Sequence, residues 1–147
     1  YMEPLLGFEV IKPSDAQVIF CNIEAIYKIN SEFLQDLRRG FVQLDTWDPQ
    51  IHLSMGRLLE QIPQYASYYV NFEKSNALRQ KLKSNSKYAS VLADLQKASP
   101  TPFYDLDSYL IKPCQRLPRY KLLVDAVLKN MLTENVLHPL YQDLYQN

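Results

Sequence analysis

Residues 110–123 read LIKPCQRLPRYKLL, and the reading of this stretch decides the fold. Leu117, Tyr120 and Leu123 recur at helical spacing and continue into Val127 and Met131, the pattern of a helix with one buried side. Pro113 suits the first turn of that helix, where a backbone donor has no intrahelical acceptor to lose. Four cations, Lys112, Arg116, Arg119 and Lys121, interrupt the apolar pattern. Lys112, Arg116 and Arg119 fall on a second stripe, and Gln115 lies one turn before Arg119. Between Lys112 and Asn130 five basic residues face one acid, Asp125. The helix is predicted to present a cationic side and a buried side. Its cations are equally consistent with a solvated face or with acidic partners on neighbouring helices.

Upstream, the same periodicity predicts further helices. Ser14 and Gln17 stand at capping-box spacing ahead of Ile19, Ile23, Ile26, Ile29, Phe33 and Leu37, which predicts one long amphipathic helix from Pro13. Arg38 and Arg39 suit its negative end, and Gly40 can supply a left-handed terminating residue. Residues 43–49 carry Asp45, Asp48 and Pro49 and read as a loop, with Trp47 folded against the body. From Ile51 to Leu82 the apolar positions keep helical spacing, with two helices expected to meet near Pro63. A helix over about 87–98 precedes the breakers Ser99, Pro100, Thr101 and Pro102. Residues 103–112 read as a short helix, and residues 138–147 as the start of another.

No window alternates β-branched residues, and neither Asn-Gly nor Asp-Gly occurs. The fold class is therefore all-α, and long helices on short connections imply an elongated bundle with antiparallel neighbours. With 147 residues, 47% of them apolar and only 3 Gly, the chain suits one folded domain rather than a disordered segment. Sixteen basic and sixteen acidic residues balance, so nothing global attracts nucleic acid or anionic lipid. Cys21 and Cys114 are isolated, which fits a reducing, cytoplasmic setting. No apolar run reaches the ~20 residues that span a bilayer, so direct membrane insertion is not expected. Because it begins at Tyr1, the chain is expected to be part of something longer.

The inventory for covalent, metal or nucleotide chemistry is thin. His52 and His138 are the only histidines, and neither has a Cys or HExxH partner, so both are assigned structural roles and no metal site is expected. Gly7, Gly40 and Gly56 are too scattered to cradle a phosphate. Asp45 and Asp48 lack the further oxygens of a calcium loop. No cofactor and no catalytic side chain are assigned.

LIKPCQRLPRYKLL resembles the third signature region of Dbl-homology domains, whose pattern is close to LIKPxQRxxRYxLLL. Val124 stands where that pattern continues with Leu. IPQYASYYVN (62–71) is similar to the second region, and VIFCNIEAIYKINSEFLQDLRR (18–39) to the latter half of the first; YMEPL matches a Y-x-x-P-L opening. The resemblance covers residues 1–147 in order, as one partial domain. It implies that a first helix bearing a switch-binding Glu and most of the last helix lie outside the sequence. A pleckstrin-homology domain is expected to adjoin in the parent protein.

The resemblance further implies guanine nucleotide exchange on a Rho-family small GTPase. Such a surface remodels both switches and stabilises the nucleotide-free GTPase, with no covalent step. It places Arg119 against the second switch, with Gln115 one turn earlier, Leu122 as apolar contact, and Arg116 and Lys112 beside them. Flanking domains would recruit the cytoplasmic protein to the inner face of the plasma membrane. Taken alone the chain is expected to be weak or inactive, and a second copy could close its unfilled helix seam as a homodimer. Two other readings stand beside exchange: a Dbl-like scaffold that binds a GTPase without exchange, and an unrelated helical adaptor whose basic helix takes acidic peptide or anionic lipid.

Overall fold

The computed structural model describes residues 1–40, 49–101, 103–135 and 137–146. Among them are the helices α1 (Met2–Gly7), α2 (Pro13–Phe20), α3 (Ile23–Gly40), α4 (Pro49–Glu60), α5 (Ile62–Leu82), α6 (Ser86–Ala98), α7 (Leu106–Leu110), α8 (Lys112–Asn130) and α9 (His138–Gln146). No strand occurs among the described residues, and the fold is all-α. No helix among them is long and apolar enough to cross a membrane. The expected loop around Trp47 lies outside the described residues.

The helix predicted to run unbroken from Pro13 divides at Cys21, whose φ of 48° lies on the left-handed side that non-glycine residues adopt only under constraint. In an unbroken helix the carbonyls of Val18 and Ile19 would accept from the amides of residues 22 and 23. Instead Asn71 Nδ2 donates to the Val18 carbonyl at 2.7 Å, and Ser75 Oγ donates to the Ile19 carbonyl at 2.8 Å. Side chains of α5 thus satisfy the end of α2. The start of α2 differs from the Ser14–Gln17 capping box as well: the Lys12 amide donates to the Asp15 carboxylate at 3.4 Å. Gly40 is the last residue of α3 rather than a left-handed residue beyond it.

The break near Pro63 is where the sequence places it. α4 ends at Glu60 and α5 starts at Ile62, so Pro63 sits in a first turn, where its missing N–H costs nothing. The short helix before Lys112 is confined to Leu106–Leu110 because Asp105 caps it: Asp105 Oδ1 accepts from the Ser108 amide at 2.8 Å. Asn85 caps α6 in the same way, accepting from the amides of Lys87 and Tyr88.

The chain forms two compact units, residues 1–23 with 66–114, and residues 24–65 with 115–147. In the first, Leu5, Ile19, Tyr88 and Leu110 are each at most 2% exposed and centre a core completed by Ile11, Phe20 and Leu106. Each such apolar side chain contributes about 1.5–3 kcal/mol on burial. A cation is buried beside them. Arg79 is 1% exposed, pairs with the Asp107 carboxylate, donates from Nε to the Ser75 carbonyl at 3.3 Å and lies 5.7 Å from the centre of the Phe72 ring. Lys83 holds the other Asp107 oxygen at 2.7 Å.

In the second unit Phe33, Met55, Leu58, Val124, Leu137 and Tyr141 form the core. The inward stripe of α8 therefore runs through Tyr120, Val124 and Val127, and Met131 just beyond its end packs against the same core. Leu123, expected on the buried side, is 61% exposed. A step of three from Tyr120 falls about 60° short of a full turn, whereas a step of four passes it by only about 40°, so Val124 takes the inward place.

Candidate functional site

α8 is a helix with a proline inside it. Pro118 cannot donate to the Cys114 carbonyl four residues earlier. Tyr69 Oη of α5 donates to that carbonyl at 3.2 Å, and the helix continues to Asn130. Burial raises the thiol pKa of Cys114, which faces inward.

The five cations of α8 have different surroundings. Lys112, in the first unit, places its ammonium 4.3 Å and 4.5 Å from the ring centres of Tyr104 and Tyr109, a cation held over two π faces. Arg116 donates from Nε to Tyr120 Oη at 2.7 Å. Lys121 lies 5.0 Å from the centre of the Tyr145 ring. Lys129 pairs with Asp125 one turn back at 2.7 Å, a bond that raises its pKa. Arg119 is exposed and has no hydrogen-bond, ion-pair or ring partner among the described residues. Gln115, one turn before it, is exposed in the same way, and Leu122, one turn after, is 66% exposed.

Gln115, Arg119 and Leu122 therefore form an outward stripe at i, i+4 and i+7 with no internal use for its polar groups. A free guanidinium beside an exposed leucine suits carboxylates or backbone carbonyls ringed by apolar surface. The structure separates the cations that the sequence grouped on one face: Lys112 and Arg116 are turned onto tyrosine rings and Arg119 is not.

Behind Arg116 lies a polar chain that sequence periodicity does not reveal. Tyr120 Oη donates to Asn30 Oδ1 at 3.0 Å, and Asn30 Nδ2 donates to Tyr65 Oη at 2.6 Å and to the Ile26 carbonyl at 2.6 Å. Tyr65 is 1% exposed, and burial raises its pKa against the opposing hydrogen bond from Asn30. The one available signal was Asn30 itself, a polar residue standing between Ile26 and Phe33 on an inward stripe, both of which are buried.

Among the described residues no three His, Cys, Asp or Glu side chains gather as a metal site would require. His52 lies edge-on to Tyr141, ring centres 6.1 Å apart. A groove of about 390 Å³ between α3 and α4 is floored by Ile29, Phe33 and Leu58 and edged by the Asp36–Arg57 ion pair, at 2.6 Å.

The described residues thus fall in the all-α class of folds, and their distinctive helix α8 carries an uncommitted cation on its exposed side. Solved structures define the class further. The chain aligns over 99% of its length with a structure of the Vav1 exchange factor reported for the role of its PH and C1 domains, at a TM-score of 0.85 and 22% identity, covering 40% of that chain. It aligns equally over 99% with an autoinhibited Dbl homology domain solved by NMR, at a TM-score of 0.79 and 22% identity, covering 68% of that chain. The fold is that of Dbl-homology domains.

The RhoGEF domain family matches residues 1–146, and the chain belongs to that family. Among its relatives, FYVE, RhoGEF and PH domain-containing protein 6 of Mus musculus is 31% identical over 144 residues, 94% of this chain and 10% of that protein. FYVE, RhoGEF and PH domain-containing protein 2 of Homo sapiens is 32% identical over 124 residues, 81% of this chain and 18% of the relative. Pleckstrin homology domain-containing family G member 2 of Homo sapiens is 33% identical over 132 residues, 88% of this chain and 9% of the relative. The chain thus spans between 9% and 18% of the length of these curated relatives.

Proposed function

We propose that this chain belongs to the catalytic part of a guanine nucleotide exchange factor acting on a Rho-family small GTPase. The observation that carries the reading is the outward stripe of Gln115, Arg119 and Leu122, in which Arg119 alone of the α8 cations has no partner among the described residues. Membership of the RhoGEF family and relatives named as exchange factors support it.

In this reading Arg119 meets carbonyls or carboxylates of the second switch, Gln115 adds hydrogen bonds and Leu122 covers apolar surface. Arg116 lies beside them on Tyr120, and Lys112, named from the same resemblance, lends positive potential from its place over two tyrosine rings. Binding that favours the remodelled, nucleotide-free GTPase weakens nucleotide, and nucleotide weakens the binding by the same factor. No proton or covalent transfer is required of this chain. The named relatives carry PH or FYVE domains, and an adjoining PH domain is proposed for the parent protein.

The test is release of fluorescent GDP from a panel of Rho-family GTPases by the full-length protein. Acceleration with one member names the substrate. A folded protein that captures nucleotide-free GTPase without accelerating release would replace exchange by scaffolding.

A further inference from the structure

The hydrogen bonds around Asn30 form a chain with a direction. A guanidinium only donates, so the bond from Arg116 Nε to Tyr120 Oη makes the hydroxyl an acceptor on its outer side. The tyrosine proton then points inward, to Asn30 Oδ1. That fixes the Asn30 amide with its NH₂ group toward Tyr65 Oη and the Ile26 carbonyl. Four side chains from three helices, Arg116 and Tyr120 of α8, Asn30 of α3 and Tyr65 of α5, are thereby locked in one arrangement. Every member lies in the second unit. The Tyr120 ring also meets Phe33 edge-on, with centres 5.5 Å apart and planes at 84°, so an apolar contact and a hydrogen bond jointly fix its place.

Tyr120 is the residue next to Arg119. A restraint on Tyr120 sets the rotation of α8 about its own axis, and that rotation sets where Arg119 points. At the ~6 Å outer radius of a helix, a turn of 10° carries a side-chain tip by about 1 Å. Misplacement of that size at a reacting or docking group can cost on the order of a hundredfold. An apolar pair in place of Tyr120 and Asn30 would fill the same core without fixing an azimuth, since apolar contacts are non-directional.

We propose that Asn30 and Tyr120 are positioning residues for the exchange surface: their hydrogen bond, with Arg116 as its outer anchor, holds α8 at the rotation that presents Arg119 to the GTPase. The inference rests on the exchange reading above and adds to it an internal control that touches no GTPase. Arg116 acts through Tyr120 in this scheme.

The test is a double-mutant cycle in the full-length protein, with Tyr120→Phe and Arg119→Ala alone and combined, read as kcat/KM for GDP release and as affinity for nucleotide-free GTPase. Phenylalanine keeps the ring packed on Phe33 and removes only the hydroxyl, so folding is retained; melting temperature and helicity verify this. Tyr65→Phe, which removes a more distant link of the chain, is the second variant. With wild-type Arg119, Tyr120→Phe is expected to lower kcat/KM by about fivefold to tenfold, the size of one lost hydrogen bond. In the Arg119→Ala background the same change should cost less than about twofold, because coupled residues are non-additive. Equal losses in both backgrounds, with active wild type, would overturn the positioning role and leave the exchange reading standing. Wild type that neither accelerates release nor binds any Rho-family GTPase would overturn the exchange reading, and this inference with it.

Discussion

The hydroxyl of Tyr69 donates to the carbonyl of Cys114 at 3.2 Å, four residues before Pro118. The bond replaces the one that proline cannot make. Pro118 in mid-helix is thus tolerated because α5 supplies a donor from outside.

Removing that donor should matter only while the proline is present. Tyr69→Phe is expected to lower stability by about 1 kcal/mol in the wild-type background. With Pro118→Ala the helix supplies its own amide to Cys114, and the tyrosine change should then cost a few tenths of a kcal/mol, roughly the scale of non-additivity between contacting sites. Urea denaturation of the four proteins measures this, and identical costs in both backgrounds would contradict the account.

Arg79 is a buried charge whose neutralising partner is Asp107. Asp107→Asn leaves the guanidinium in the core without its counter-charge and should destabilise by about 3 kcal/mol, since half-removal of a buried pair is the costly change. Arg79→Met combined with Asp107→Asn should cost clearly less than the two single changes added. Additive losses would mean the pair is energetically uncoupled despite its geometry.

Asp105 caps α7, and the bonds from the Ser108 hydroxyl and amide hold its carboxyl below the ordinary value of 3.8. Folding favours the charged form, so the contribution is fully present above the unfolded value and is lost as pH falls through the lower, folded one. Asp105→Ala should cost about 1 kcal/mol at pH 7. Asp105→Asn keeps an oxygen acceptor but cannot ionise, so its deficit relative to wild type should shrink between pH 7 and pH 3. A deficit independent of pH would show that charge has no part in the cap.

On the proposed exchange surface a charge reversal should act by place rather than by sign. Arg119→Glu is expected to reduce GDP release at least a hundredfold, the order of a hot-spot loss. Lys129→Glu makes the same charge change on the same helix, where the lysine is engaged only with Asp125 at the surface, and should leave exchange within about twofold of wild type. Parallel losses in both variants would point to a general electrostatic field in place of a specific contact.

The all-α class, the break between α4 and α5 near Pro63, the start of α8 before Pro113 and the family signature in LIKPCQRLPRYKLL were legible because they depend on residues within a few turns of one another. The division at Cys21 was not, because the groups that stabilise it, Asn71 and Ser75, lie more than fifty residues beyond the Val18 and Ile19 carbonyls they bind. Nor was the inward place of Val124, which one residue of helical phase separates from Leu123. At the site, the residues of the outward stripe could be listed from spacing, whereas their surroundings could not.

By itself the sequence determined that the chain is helical and that a cationic helix containing proline is the distinctive element, since backbone propensity and periodicity are local properties. Only the tertiary structure decided which cation is free. Lys112 is taken up by Tyr104 and Tyr109, Arg116 by Tyr120 and through it by Asn30, and Arg119 by nothing among the described residues. The physical reason is that a charged side chain's role is set by the donors, acceptors and ring faces within a few ångströms, and packing brings those from distant segments.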